Sequence, residues 1–178
     1  LVPFALKKND SILKNDYLAW LNDPKVTRLI GSKELNQQEK NLNFIEESFN
    51  RFSNVTSKGF FIFYLPDEVF IGTSKLDKIS NYTKSAEDGI MIGNKEYWGK
   101  GLSKKVYKLL LNYAFNELDL IRISGGCNEN NKPMIKTFNS LGYQLEGKTR
   151  KSDFIDNNFS DHLCFGILRE EYFFHNKW

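Results

Sequence analysis

The chain has 178 residues, of which 40% are hydrophobic and 26% are charged, and this suits a single domain over residues 1–178. The net charge of +3 is mild and no block of like charges occurs, which argues against a nucleic-acid-binding protein. No apolar run is long enough to cross a membrane. The two cysteines, Cys127 and Cys164, and the two histidines lack the spacing of metal ligands. We therefore expect a cytoplasmic protein with reduced thiols and without a metal.

The first third of the chain is predicted to be helical. Residues 15–21 indicate a short helix that ends at 22–24 (NDP), because the residue before a proline disfavours helix. Residues 36–39 (NQQE) form a variant of the capping box. Apolar residues at positions 42, 45, 49 and 52 then recur at helical spacing and predict a second helix to about Arg51.

Strands and helices alternate in the remainder of the chain. Residues 59–65, 69–79 and 86–92 each predict a strand, since they are short and rich in strand-forming residues. A helix is predicted from Leu102 to about 118, a strand at 121–127, and a helix from Asn131 to the stop at Gly142. Segments 143–151 and 159–167 indicate a closing antiparallel pair. Because a helix joins strands 86–92 and 121–127, they should be parallel neighbours in a mixed α/β sheet.

Residues 93–105 (GNKEYWGKGLSKK) place a glycine-containing turn between a strand and a helix. A helix N-terminus carries unpaired N–H groups and a partial positive charge, and glycines allow a ligand to approach the backbone closely. The segment therefore suggests an anion site. It contains neither a Walker A loop nor the dinucleotide-binding GxGxxG fingerprint, and a plain turn is the alternative that it leaves open on its own.

The segment WGKGLS resembles the acyl-CoA loop of the Gcn5-related N-acetyltransferases (GNAT), which reads [QR]-x-x-G-x-[GA]. Trp98 and Ser103 depart from this pattern, but a tryptophan at the first place is usual in the RimJ/RimL-like branch. Further segments resemble that branch in the same order: 18–26 (LAWLNDPKV), 69–73 (VFIGT), 85–93 (SAEDGIMIG), 128–143 (NENNKPMIKTFNSLGY) and 165–172 (FGILREEY).

The resemblance implies a fold and a cofactor site. The GNAT fold is a single-domain mixed twisted sheet with helices on both faces and a splay between its fourth and fifth strands, here 86–92 and 121–127. Acetyl-CoA would be the co-substrate, with its pyrophosphate on the loop N–H groups and its pantetheine arm in the splay. An N–H group near Met91 or Ile92 would polarise the acyl carbonyl. The implied cofactor-binding residues are Met91, Ile92, Trp98, Gly99, Lys100, Gly101, Leu102, Ser103, Lys104 and Asn131.

The resemblance also implies direct transfer of the acetyl group to a primary amine within a ternary complex. Glu87 matches an acidic position of the family and is the candidate general base, with a surface ion pair as the alternative. The two usual positions of a general acid hold Met134 and Phe138, which cannot donate a proton. Tyr107 or Tyr143 could substitute for them, although either tyrosine also fits a position in the core.

Two further side chains carry less weight as catalytic candidates. Cys127 as a covalent nucleophile does not fit a family that transfers the acetyl group directly. His162 follows Asp161 and is interpreted as a polar residue of the closing strand.

The sequence leaves the acceptor open. The amine could belong to an amino-sugar nucleotide, a peptide N-terminus or another small amine such as a polyamine or an aminoglycoside. A non-catalytic acyl-CoA-binding module or regulatory protein is the alternative function, and a homodimer is possible. The segments expected to border the acceptor contain Asp16, Trp20, Arg28, Glu34, Tyr82, Arg150, Asp153, Asp156 and Asp161.

Overall fold

The computed structural model describes residues 1–30 and 39–175. The predicted capping box at 36–39 and Glu34 fall outside these residues, apart from Glu39. In chain order the elements are β1 (Val2–Pro3), α1 (Phe4–Lys7), α2 (Ser11–Leu21), α3 (Pro24–Thr27), α4 (Leu42–Arg51), β2 (Lys58–Tyr64), β3 (Val69–Ser80), β4 (Ser85–Ile92), α5 (Leu102–Asn112), β5 (Arg122–Asn128), α6 (Lys132–Leu141), β6 (Gln144–Ile155), β7 (Asn158–Leu168) and α7 (Arg169–His175).

The predicted strands are all present, with ends that differ by up to four residues from the sequence-based bounds. Helix α2 is longer than predicted because the Asp10 side chain accepts hydrogen bonds from the N–H groups of Ile12 and Leu13 and so starts the helix earlier. Helix α5 ends sooner as an α-helix and continues as a π-helical turn, Tyr113–Glu117. The short elements β1, α1, α3 and α7 were not predicted. Among the described residues, no helix is both long and apolar enough to span a membrane.

The strands of the described residues form one mixed sheet in the order β1-β2-β3-β4-β5-β7-β6. Strands β4 and β5 are parallel, as predicted, but pair only where Ser85–Glu87 lies beside Arg122–Ser124. Among the described residues no pair joins the two strands beyond that point, although β4 runs on to Ile92 and β5 to Asn128. The predicted splay is therefore confirmed, and it opens toward the C-terminal ends of both strands.

Helices cover both faces of the sheet, as predicted. On one face, here called the α5 face, helices α5, α6 and α7 bury Leu110, Phe138 and Tyr172 against Ile123 and other strand residues. On the opposite α2 face, helices α1, α2 and α4 pack against β2 and β3. Successive strand residues point to opposite faces, so Ala86, Asp88 and Ile90 lie on the α5 face, whereas Glu87, Gly89 and Met91 lie on the α2 face.

We expect Phe49→Ala to destabilise the chain by about 3–5 kcal/mol, because this ring is 1% exposed and packs against the rings of Phe4, Tyr17 and Phe61. Leu65→Ala is the matched control, since that side chain is 78% exposed and its loss should change the free energy of unfolding by less than about 0.5 kcal/mol. Urea unfolding of both variants measures the difference, and equal stabilities would contradict the placement of α4 on the sheet.

Candidate active site

The loop between β4 and α5 has the geometry of an open anion site. Gly99 and Gly101 have φ angles of +73° and +70°, in the left-handed region that favours glycine. Gly101 is the N-cap of α5 and provides no side-chain hydrogen bond to the first N–H groups of the helix. Apart from the glycine itself and its neighbours in the chain, a Cβ placed on either glycine would have no described protein atom within 4 Å. An anion could therefore approach the first turn of α5 along its backbone.

Three contacts hold this loop in place. The Trp98 indole donates a hydrogen bond to the carbonyl oxygen of Ile92 at 2.7 Å, and the Tyr97 hydroxyl donates to Asp67 at 2.7 Å. Lys95 forms an ion pair of 2.5 Å with Asp23, the residue that caps α3. The loop is thus tied to the end of β4 and to the N-terminal helices.

The remaining residues predicted to bind CoA on the loop differ in their contacts and in their burial. The ammonium group of Lys100 lies 4.7 Å from the centroid of the Tyr97 ring, as in a cation–π contact. Leu102 is buried, so only its backbone could meet a ligand, whereas Ser103 and Lys104 are half-buried on the first turn of α5. The role of each residue in binding CoA stays a prediction.

The splay contains the two β4 residues that were predicted to face the acyl group. Met91 buries its side chain on the α2 face, and Ile92 turns to the α5 face, so each would act through its backbone. Across the opening, β5 offers Gly125 and Gly126, which have no side chains to fill the gap, and Gly126 is exposed. On β5 the opening is therefore bordered by backbone at these two glycines.

Asn131 is the N-cap of α6, as predicted, and its side-chain oxygen accepts from the Met134 N–H at 3.3 Å. The capping role is confirmed. A contact between the Asn131 side chain and a pantetheine arm stays a prediction.

Glu87 lies on the α2 face, opposite Ser124 in the last β4–β5 pair. Its side chain is 48% exposed and forms an ion pair of 2.8 Å with Lys78, which raises the pKa of that lysine. In this structure Glu87 therefore forms a surface ion pair, which was the alternative interpretation. The role of Glu87 as a general base stays a prediction.

The sequence interpretation did not single out the cluster around Asp88. The Tyr107 hydroxyl donates to Asp88 Oδ1 at 3.1 Å, and the Tyr143 hydroxyl donates to Asp88 Oδ2. Burial raises the pKa of Asp88 to about 7, while the two phenol hydrogen bonds act to lower it. A Cβ on Gly125 would overlap Asp88 Oδ1, so glycine is needed beside this carboxyl group. The signal available in the sequence was a carboxylate at a strand position whose neighbours, Ala86 and Ile90, point inward.

A second polar cluster lies on the α2 face. Asp153 is buried, accepts a hydrogen bond of 2.9 Å from the Asn128 side chain, and lies 3.1 Å from His162 Nδ1. His162 Nε2 lies beside the α carbon of Gly126, where a Cβ would overlap it. This histidine is thus a polar residue of the closing strand, as interpreted, and it borders the open end of β5.

Cys127 and Cys164 are both free thiols. Burial raises the pKa of the Cys127 thiol to about 11, which disfavours the thiolate that a nucleophile requires. This agrees with the interpretation that Cys127 is not a covalent nucleophile.

Known proteins resemble this chain in sequence. The sequence model of the family described as "Acetyltransferase (GNAT) domain" matches residues 9–144. An uncharacterized N-acetyltransferase p20 of Bacillus licheniformis is 31% identical over 160 residues, which are 85% of this chain and 84% of that protein. A putative ribosomal N-acetyltransferase of Bacillus subtilis is 28% identical over 108 residues, 61% of this chain and 58% of that protein.

The fold also matches a solved structure. The spermidine N-acetyltransferase of Vibrio cholerae, in complex with CoA and spermine, superimposes with a TM-score of 0.81 at 21% identity, covering 92% of this chain and 94% of that one. The family match extends over more than half of the chain and includes the splay and the glycine loop. The chain therefore belongs to the GNAT family and is an N-acetyltransferase whose acyl donor is acetyl-CoA.

Proposed function

We propose that the chain transfers the acetyl group of acetyl-CoA directly to a primary amine within a ternary complex. The backbone of Gly99–Lys104 holds the pyrophosphate, and the unpaired edges of β4 and β5 hold the pantetheine arm. The early end of the β4–β5 pairing carries this proposal, because it leaves backbone groups of two adjacent strands free for a linear ligand. The N-terminus of α5, which lacks a side-chain cap, supports the placement of the phosphates.

The amine is proposed to approach from the α2 face, where Glu87 and His162 border the opening. Charged side chains near this face are largely paired, as in the ion pairs Lys148–Asp161 at 2.5 Å and Arg28–Asp156 at 3.2 Å. An amino-sugar nucleotide, a peptide N-terminus or another small amine are the candidate acceptors. The putative ribosomal relative supports a peptide acceptor and the RimJ/RimL-like branch, and the spermine complex of the structural neighbour supports a polyamine.

A non-catalytic acyl-CoA-binding module is the second candidate. One observation favours it: the positions of the usual general acids hold Met134 and Phe138, and Phe138 is fully buried. A binder of this kind would keep the loop and the splay but would release no thiol. That residues 1–178 form one domain, that the protein is cytoplasmic and that it forms a homodimer all stay predictions.

We expect acetyl-CoA to stabilise the protein and an amine to trigger thiol release. At 100 times its dissociation constant, acetyl-CoA should add about 2.7 kcal/mol to the stability, which corresponds to a rise of several degrees in Tm. Thiol release is then measured with spermidine, an N-terminal peptide and a UDP-linked amino sugar. No stabilisation by acetyl-CoA at millimolar concentration would contradict the CoA site. Stabilisation without thiol release from any of the amines would favour the non-catalytic module.

A further inference from the structure

The sequence offers no proton donor at the usual positions, yet a proton-carrying cluster lies at the closed end of the splay. We propose that the carboxyl group of Asp88, held by Tyr107 and Tyr143, is the general acid that protonates the departing thiolate of CoA. The inference rests on the proposed function and assigns the proton donor of the same reaction.

The position of Asp88 supports this role. Asp88 is the first β4 residue beyond the last β4–β5 pair, Glu87 with Ser124. A donor whose phosphates lie at the start of α5 enters past Ile92, at the far end of β4, and its arm runs along β4 toward Asp88. Four residue steps separate Ile92 from Asp88, about 13 Å of strand, and an extended pantetheine arm can cover this distance. The reactive end of the donor would then face the closed end of the splay. In this placement the N–H groups of Met91 and Ile92, about 10–13 Å farther along β4, would contact the pantetheine arm and not the acyl carbonyl.

The direction of the side chain supports the same role. Asp88 points to the α5 face and reaches under Gly125 of β5, where any larger residue would overlap the carboxyl group. The residue is half-buried, and its contact with Gly125 places the carboxyl group beside β5, where the two strands begin to separate. Its two oxygens accept hydrogen bonds from the two phenols. Asp88 therefore lies on the side of the sheet opposite to the proposed approach of the amine.

The carboxyl group is a better acid here than either phenol. Burial and the neighbouring carboxylate raise the pKa values of Tyr107 and Tyr143 well above their ordinary range, and both hydroxyls are engaged by Asp88. The pKa of Asp88 is raised to about 7, so a substantial fraction of the carboxyl group carries its proton near neutral pH. A protonation state that is populated near the working pH is what a general acid requires.

Other titratable groups face this cluster from the surrounding elements. Lys75 on β3 lowers the pKa of Asp88, and Glu87 on β4 raises it. Cys127 on β5 lies near Tyr107, and its pKa is raised to about 11, so its thiol is neutral near pH 7. Asp88 is therefore the group of this cluster expected to change its charge near neutral pH.

Phe138 occupies a usual position of the proton donor in this family but cannot donate a proton. Its ring lies 4.8 Å from that of Tyr143 and 5.6 Å from that of Tyr107, measured between centroids. The residue at a usual donor position thus packs against the two phenols that hold Asp88. The aromatic cluster supports the carboxyl group in place of donating a proton itself.

The proposed step balances in atoms and electrons. The lone pair of the amine nitrogen forms a bond to the acyl carbon, and the carbon–sulfur bond breaks with its electron pair on sulfur. The sulfur takes the proton of the Asp88 carboxyl group, and the resulting carboxylate accepts hydrogen bonds from both phenols. The surplus proton of the amine passes to Glu87 or to water, and Asp88 regains a proton from solvent after the products leave.

We expect Asp88→Asn to lower kcat by about 10²-fold, while the KM for acetyl-CoA changes only a few-fold. This is the low end of the range of general acid–base catalysis, because a thiolate is a tolerable leaving group even without a proton donor. An acid must be protonated, so wild-type kcat should fall as the pH rises through the pKa of Asp88. That alkaline decline should be absent from Asp88→Asn. Tyr143→Phe should keep the decline but move it to higher pH, because the lost hydrogen bond lowers the pKa of Asp88 in the wild type. Tyr113→Phe, which removes a phenol of the π-helical turn that does not hydrogen-bond to Asp88, should leave the profile unchanged.

The pH profile separates acid catalysis from packing. A purely structural role would lower kcat by a similar factor at every pH, whereas the loss of a general acid removes the alkaline decline. An unchanged alkaline decline in Asp88→Asn would overturn the proposal and leave the cluster a purely structural role. Wild-type thiol release in the same assay tests the proposed function separately, and titration calorimetry with CoA verifies that the variant still binds its donor.

Discussion

Replacing Gly101 by valine should weaken acetyl-CoA binding by at least about 100-fold, equivalent to ~2.7 kcal/mol. Gly101 has a φ angle of +70°, which a β-branched residue adopts only with strain, and it forms the N-cap of α5. A Cβ at this position would meet no described protein atom within 4 Å beyond its own neighbours in the chain, and it would lie on the surface that the pyrophosphate is proposed to contact. Valine would thus both distort the loop and obstruct the ligand. Titration calorimetry with acetyl-CoA measures the loss.

Gly142→Val is the matched control for backbone strain. Gly142 has a φ angle of +94° and ends α6, and a Cβ there would contact His175. This variant should lose stability, as Gly101→Val does, but should keep its affinity for acetyl-CoA. If Gly101→Val bound acetyl-CoA as tightly as the wild type, the glycine loop would not be the phosphate site.

Glu87→Gln should lower kcat by about 10²- to 10⁴-fold, the range of general acid–base catalysis, without weakening acetyl-CoA binding. Glu87 stands at the last β4–β5 pair and faces the side from which the amine is proposed to approach. Its ion pair with Lys78 is exposed, with the two side chains 48% and 69% accessible to solvent. An exposed pair of this kind contributes about 0–1 kcal/mol, so an incoming ammonium group can displace it at little cost.

Lys78→Gln separates the two readings of Glu87. It removes the same ion pair but leaves the carboxylate, so it should retain nearly wild-type turnover if Glu87 acts on the amine. Steady-state thiol release from both variants makes the comparison. Equal turnover of wild type, Glu87→Gln and Lys78→Gln would reduce Glu87 to a surface residue.

Glu87 and Asp88 are adjacent in sequence but have opposite proposed roles: Glu87 accepts a proton from the amine, and Asp88 donates one to the thiolate. Neighbouring residues of a strand point to opposite faces of the sheet, so the two carboxyl groups flank the end of the β4–β5 pairing. Glu87 is exposed on the α2 face, whereas burial on the α5 face raises the pKa of Asp88 to about 7. One strand can thus present a proton acceptor to the amine and a proton donor to the thiol.

Local patterns in the sequence determined the elements around the site. Periodic apolar residues and turn signals indicated β4, α5, β5 and α6. Helix α6 begins after the predicted cap Asn131 and ends at the predicted stop Gly142. The parallel relation of β4 and β5 followed from the connecting helix. These features depend on residues close together in the chain, so they can be inferred without the fold.

Only the tertiary structure determines which side chains, distant in sequence, form hydrogen bonds and ion pairs with each other. Asp88 is 19 residues from Tyr107 and 55 from Tyr143, the residue before β6. Their hydrogen bonds exist only because the fold brings β4, α5 and the segment before β6 together. The pairing of Glu87 with Lys78 likewise depends on the register of β3 against β4. A pKa reflects burial and neighbours that the chain brings together only on folding. For this reason the sequence could indicate the glycine loop as the candidate phosphate site, whereas the structure was needed to identify Asp88 as the candidate proton donor.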